Sequence, residues 1–160
     1  MTMAQLQITN KPLSEVRKSL QAYADRGVFR GFHESGKGQF SFTWFYHHPL
    51  QLTVDVAKHL LKFEQLLPGV PAQSPLYADL KRYVQERHDA ALPPHRRVER
   101  KLALATCANR RGHVSLSLKV KNNEYAYGIN KLVNLVHELF VHLRAAHPEY
   151  LVENFDVPQE

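Results

Sequence analysis

The residues best suited to chemistry lie near the C-terminus, where two histidines flank a glutamate. The segment from His137 to His142 approaches the His-Glu-x-x-His pattern of zinc hydrolases, whose histidines are four residues apart and share a helix face. Here they are five residues apart, so on a continuous helix their rings point about 140° away from each other. We therefore expect no shared ion, with His137 bordering the buried face and Glu138 forming a surface pair with His142.

Two other stretches resemble binding motifs, and both favour structural roles. Residues 31–38 have the spacing of a phosphate-binding loop, but Gly38 replaces the Ser or Thr that ligates magnesium, and the next residues alternate like a strand. They are typical of a hairpin turn. His47 and His48 are adjacent, and neighbouring strand residues point to opposite faces. The sequence thus predicts no catalytic residue, no metal ligand and no cofactor.

Positive charge is concentrated in one segment of the chain. Residues 95–121 contain eight arginines and lysines and one acid, so this segment carries +7 and the rest of the chain −1. Such a surface attracts the carboxylates of an acidic protein or the phosphates of a nucleic acid. The residues predicted to bind an anionic partner are Arg96, Arg97, Arg100, Lys101, Arg110, Arg111 and Lys119.

A predicted hairpin positions these cations. Residues 102–107 and 114–120 have strand character, and Asn109-Arg110-Arg111-Gly112 is typical of a hairpin connection. In regular strands the arginines before the hairpin lie roughly 15–20 Å from those at its tip, because each residue advances about 3.3 Å. The spacing predicts two basic patches or a stripe rather than one pocket.

Hydrophobic periodicity predicts the remaining elements. Three helices are expected, at about 10–27, 75–91 and 124–146, the first starting at Asn10-Lys11-Pro12. Residues 55–67 fit either a helix or a further strand, and the β-branched residues before them favour the strand. The alternating Phe40, Phe42, Trp44 and Tyr46 indicate a strand with a buried face, with base stacking by exposed aromatics as the alternative.

The order of these elements is α-β-β-(β)-α-β-β-α, without the alternation that produces parallel sheets. It predicts a single α+β domain over residues 1–160, with an antiparallel sheet of about five strands and three helices. The tail at 148–160 retains apolar residues and is expected to dock. This element order resembles that of class I secretion chaperones. The resemblance rests on topology alone and implies a specific protein partner.

Composition sets the broad class. With 160 residues, 44% of them hydrophobic, the chain can form a core. The single cysteine, Cys107, excludes a disulfide framework and suggests a buried thiol. We see no secretory signal in residues 1–10 and no apolar run of about 18 residues, which predicts a cytoplasmic protein that does not span a membrane. The long last helix or a sheet edge could support a homodimer.

These observations favour a non-enzymatic binding domain. The leading hypothesis is an anionic protein partner, engaged through the basic hairpin region. The alternative is nucleic acid bound by the same residues. A third hypothesis, from another class, is a hydrolase that uses His137, Glu138 and His142.

Overall fold

A computed structural model describes residues 3–46 and 48–157, apart from the side chains of residues 3–10. The elements are α1 (Met3–Asp25), β1 (Arg30–Gly36), β2 (Gln39–Thr43), β3 (Pro49–Asp55), β4 (Leu60–Leu67), α2 (Pro75–Glu86), β5 (Ala103–Arg110), β6 (His113–Val120), α3 (Tyr125–Ala146) and α4 (Pro148–Phe155). The α+β class is confirmed. The described residues form four helices and six strands, where three helices and about five strands were predicted.

The six strands form one antiparallel sheet in the order β1-β2-β3-β4-β6-β5. Residues 60–67 form β4, which confirms the strand interpretation of the ambiguous segment. The segment with phosphate-loop spacing is the β1–β2 hairpin, as predicted, and Gly38 takes the positive φ of 74° that its turn requires. No helix in the described part of the chain has the length and apolarity needed to cross a membrane.

The first helix begins earlier than predicted. It starts at Met3, and Pro12 lies inside it rather than in its first turn. Proline lacks the N–H that would bond to the carbonyl four residues earlier, so it costs the helix one hydrogen bond. Burial of Leu13, Val16 and Leu20 against the rest of the core offsets that loss.

One face of the sheet carries the core and the other is open. The helices α1 and α3 lie side by side on the covered face, where the Tyr23 hydroxyl donates to Asn130 Oδ1 at 2.8 Å. Strand alternation buries Leu61 and Phe63 of β4 and Leu116 and Leu118 of β6 in the core, where Leu61 and Leu118 face α3. The opposite face is polar and presents Thr53, Lys62, Thr106, Ser117 and Lys119.

The aromatic stripe is part of the core only in its first half. Phe40 and Phe42 lie on β2 and are 0% and 2% exposed, which confirms the core interpretation for both. The strand ends at Thr43, earlier than predicted, and the chain turns where Tyr46 adopts a φ of 51°. Trp44 and Tyr46 are half-buried in this turn, which packs against α3 and α4.

Helix α3 approaches the sheet most closely at Gly128. A Cβ atom at this position would lie 2.8 Å from Val120 Cγ2, 3.1 Å from Leu61 Cδ1 and 3.2 Å from Leu118 Cδ2. Carbon atoms are not tolerated that close, so only glycine allows this packing distance. Helix α4, formed by the tail, packs on α3 and buries Tyr150, Leu151 and Phe155.

The two outer strands of the sheet are both protected. Along β5, the Ala105 N–H donates to His88 Nε2 at 3.0 Å, and His88 Nδ1 lies 3.0 Å from the Gln85 carbonyl oxygen. These bonds fix a neutral ring with its proton on Nδ1. At the other side, the β1 register shifts twice and Gly31 has a φ of 64°. Neither outer strand therefore offers a regular row of free backbone groups.

His88 is expected to make stability depend on pH. Burial lowers the pKa of its imidazole, despite the opposing hydrogen bond to the Gln85 carbonyl. The folded protein then binds fewer protons than the unfolded chain, so the free energy of unfolding should fall as the pH drops below about 6.5. The variant His88→Phe should lack this fall.

Urea unfolding between about pH 5 and pH 8 measures the difference between the two proteins. The exposed His33 supplies the control, since His33→Phe should keep the wild-type profile. Parallel profiles for wild type and His88→Phe would contradict the role assigned to His88.

Candidate functional site

The structure divides the seven predicted anion-binding residues into two groups. Arg96 lies between α2 and β5 and faces α3, where its Nε and Nη2 donate to the two carboxylate oxygens of Glu138 at 3.2 Å each. The cavity beside this pair has a volume of about 10 Å³, enough for about one water molecule. Arg96 therefore links the loop between α2 and β5 to α3, and it does not line a ligand-sized pocket.

Arg97 is also held inside the fold. Its Nη1 donates to the carbonyl oxygens of Ala90 at 2.8 Å and Leu92 at 3.3 Å, and its Nη2 pairs with Glu99 at 2.5 Å. These bonds close the loop on itself. The same loop is tied to α3 by Lys131, whose Nζ donates to the Pro94 carbonyl at 2.5 Å. The structure thus gives Arg96 and Arg97 internal partners.

The other five cations are exposed. Within residues 3–46 and 48–157, none of them forms an ion pair. The acids that might have neutralised them, Asp79 and Glu86, contact Arg82 instead. We call these five residues the basic hairpin surface: Arg100, Lys101, Arg110, Arg111 and Lys119.

The register of β5 and β6 places this surface. Lys119 is opposite Leu104 and Arg110 is opposite His113. Leu104 and Lys119 each lie between two buried residues, and Arg110 and His113 continue the same alternation, so all four lie on the open face of the sheet. Six residues separate Leu104 from Arg110, or about 20 Å. The surface is therefore two patches at the ends of one polar strip. Lys121 steadies one end, because its Nζ donates to the Arg100 carbonyl at 2.7 Å.

The C-terminal His-Glu segment does not form a single site. His137 stacks near the rings of Trp44 and Phe45. Glu138 pairs with Arg96, and His142 contacts Asp79. The predicted surface pair of Glu138 with His142 is therefore wrong, because each residue has a partner from another part of the chain, Arg96 for Glu138 and Asp79 for His142. The three residues of the hydrolase hypothesis face three different environments.

A cluster that sequence analysis missed lies where α2 meets the end of α3. His142 Nε2 and His147 Nε2 each lie 2.7 Å from the same oxygen, Oδ2 of Asp79. The other carboxylate oxygen accepts from Arg82 Nη2. These three residues are the potential metal-ligating group found within the described part of the chain. Asp79 is 63 residues from His142, so no local spacing could have revealed the cluster.

The cluster keeps Asp79 ionised. Burial alone would raise the pKa of its carboxyl group, but hydrogen bonds from His147 and His142, the charge of His142 and a bond from Arg82 outweigh burial. Together they lower the pKa to about 2. Asp79 is therefore a carboxylate anion at pH values near neutrality.

Cys107 shows no sign of activation. It lies on β5 opposite Leu116, beside a groove of about 340 Å³ that also touches Lys81 and Arg100. Burial raises the pKa of its thiol, against the opposing charge of Lys81. The thiol is therefore protonated at neutral pH, the form that neither attacks substrates nor binds metals.

The remaining histidines are dispersed. His48 packs its ring against Phe155, with centroids 4.6 Å apart, and His59 Nδ1 lies 3.3 Å from the Tyr125 hydroxyl. His33 Nδ1 contacts the Gly31 carbonyl. His47 lies outside the described residues.

Similarity to other proteins gives no further guidance to function. In comparisons with protein-family models, curated proteins and solved structures, nothing matches this chain significantly. The secretion-chaperone topology stays a prediction.

Proposed function

We propose that this chain is a binding domain that holds an acidic segment of a partner protein on its basic hairpin surface. The observation that supports the proposal is the exposure of five cations without internal ion pairs, in contrast to Arg96 and Arg97. Unpaired guanidinium and ammonium groups bind carboxylates through charge-assisted hydrogen bonds. Residues 103–120 contain no Asp or Glu, so no acid of this hairpin opposes such a ligand.

The strip between the two patches suits an extended ligand. Its outward side chains are short, since Thr106 and Ala108 are exposed and Ser117 is half-buried. A peptide backbone can therefore approach the sheet, and the hydroxyl groups can donate to its carbonyl oxygens. A strip of about 20 Å accommodates about six extended residues, with acidic side chains needed near both ends.

The same strip lacks the features that recognise single-stranded nucleic acid. Base stacking requires exposed aromatic rings beside the cations. Residues 103–120 contain no Phe, Tyr or Trp, and Phe40 and Phe42 are in the core. Binding of duplex phosphates needs no aromatic ring, so it is the competing outcome of the experiment.

Fluorescence anisotropy with two labelled probes tests the proposal. One probe is an eight-residue peptide of alternating glutamate and serine. The other is a 16-base-pair DNA duplex that carries the same fluorescent label. We expect the peptide to bind, and the variant Arg100→Gln/Lys101→Gln/Arg110→Gln/Lys119→Gln to bind it at least about tenfold more weakly. The variant removes four cations, and each exposed pair of a cation with a peptide carboxylate contributes under about 1 kcal/mol of binding free energy. Together these contributions account for such a loss.

A matched control separates local contacts from net charge. Lys18 and Lys37 are exposed cations on α1 and in the β1–β2 turn, so Lys18→Gln/Lys37→Gln removes charge elsewhere. A double variant of the hairpin, Arg110→Gln/Lys119→Gln, gives the equivalent charge change and should weaken binding more than this control. Equal losses, or duplex binding tighter than peptide binding at about 0.15 M salt, would overturn the proposal.

A further inference from the structure

The cluster of Asp79, His142 and His147 is separate from the basic hairpin surface and has the composition of a metal site. Two imidazoles and one carboxylate are ligands that zinc and other divalent transition metals accept. Each residue comes from a different position in the fold: α2, the last turns of α3, and the junction of α3 with α4.

The distances leave little rearrangement for an ion to enter. All three donor atoms lie within 4.8 Å of one another, and each Nε2 is 2.7 Å from Asp79 Oδ2. Ligand atoms around tetrahedral zinc are about 3.3 Å apart, since the metal–ligand bonds are about 2.0–2.1 Å long. Each Nε2–Oδ2 separation therefore needs to open by about 0.6 Å, and the two Nε2 atoms, which lie within 4.8 Å of each other, need to settle about 3.3 Å apart.

Neighbouring groups already orient the ligands. The His142 ring stacks on Tyr83, with centroids 4.4 Å apart, and the backbone N–H of His147 donates to the Leu143 carbonyl at 2.8 Å, which fixes the chain at this ligand. Arg82 contacts Asp79 Oδ1, which leaves Oδ2 to face both histidines. Arg82 also pairs with Glu86, an acid that offsets part of its positive charge. Such outer partners hold metal ligands in place.

We propose that Asp79, His142 and His147 bind one divalent transition-metal ion, with zinc as the best match. Asp79 Oδ2 and both Nε2 atoms are the ligands, and one tetrahedral position is left for water. No electron is transferred. A neutral imidazole moves its proton from Nε2 to Nδ1 and donates the freed lone pair to the ion, whereas a charged imidazole releases one proton to solvent.

Side-chain exposures of 14%, 23% and 26% for Asp79, His142 and His147 fit this role. They are low enough to exclude most competing water and high enough to let an ion in. The His-Glu segment contributes one ligand, His142, although its partner is a distant aspartate rather than the glutamate beside it.

Titration calorimetry of zinc chloride into the EDTA-treated full chain tests the site. We expect one ion per chain and affinity that falls as the pH is lowered, because protons compete with the ion for the imidazoles. Asp79→Asn and His147→Gln should each weaken binding at least tenfold. Cobalt(II) in place of zinc should give visible absorption bands of a four-coordinate ion, and both variants should lose them.

The control is His33→Asn/His95→Asn, which removes two exposed imidazoles outside the cluster. It should bind zinc as the wild type does. Circular dichroism checks that each variant is folded. If Asp79→Asn does not fold, His147→Gln alone provides the comparison with the wild type. Absence of zinc binding in the wild type, or equal weakening in the control and the cluster variants, would overturn the proposal.

Discussion

Replacing Phe140 with alanine is expected to lower the free energy of unfolding by about 3–5 kcal/mol, the range for large buried aromatic residues. Phe140 is 1% exposed and joins three parts of the fold. Its ring stacks on Phe45 at 4.4 Å and meets Phe155 of α4 edge-on at 5.4 Å. Alanine would leave a cavity, and the aromatic rings that line it cannot easily rearrange to fill it. Urea unfolding followed by circular dichroism measures the change.

The next residue provides the control for this substitution. Val141 is 45% exposed, so Val141→Ala should change stability by less than about 0.5 kcal/mol. Both variants shorten a side chain on the same turn of α3, and only one removes core packing. A loss below about 1 kcal/mol for Phe140→Ala would mean that α4 moves in to fill the space.

The substitution Gly128→Ala is expected to destabilise the fold by about 1–3 kcal/mol, the cost of overpacking a core. Alanine normally favours a helix over glycine by about 1 kcal/mol, so the sign of the effect is itself informative. The added methyl group would lie 2.8 Å from Val120 Cγ2, and valine cannot turn away as a long side chain can. Denaturant unfolding of both proteins measures the loss.

A double-mutant cycle identifies the clash. In a Val120→Ala background the same Gly128→Ala change should cost less, because the atom it meets is gone. The exposed Ala126 lies in the first turn of the same helix, and Ala126→Gly should lose at most about 1 kcal/mol through helix propensity alone. Stabilisation by Gly128→Ala in the wild-type background would refute the close approach of α3 to the sheet.

The sequence was sufficient to predict most of the fold because its local patterns are regular. Alternation of apolar residues located β2, β3 and β6, and Ser74 marked the start of α2, where its hydroxyl accepts from the Tyr77 N–H. The ends of elements were less predictable. Helix α2 stops at Glu86, short of the predicted 91, because His88 turns towards the edge of β5. That contact depends on residues 17 positions apart.

The candidate sites depended still more on distant contacts. Charge density alone identified the basic segment, but which cations pair internally follows from where α3 places Glu138, 42 residues beyond Arg96. The metal-ligating cluster requires Asp79 to meet two histidines more than 60 residues away. Residue spacing describes geometry within a single helix. It therefore predicted correctly that the side chains of His137 and His142 point in different directions. It could not predict which residue of another helix His142 contacts.

Protection of both outer strands affects how the folded protein behaves when concentrated. Regular rows of unpaired backbone groups recruit other chains into fibrils. Here His88 accepts a hydrogen bond from the Ala105 N–H on the outer edge of β5. The outer edge of β1 is interrupted by Gly31 and by two register shifts. Folded molecules should therefore stay free of amyloid at high concentration. Acid that protonates His88 would free the Ala105 N–H and weaken this protection along part of the β5 edge.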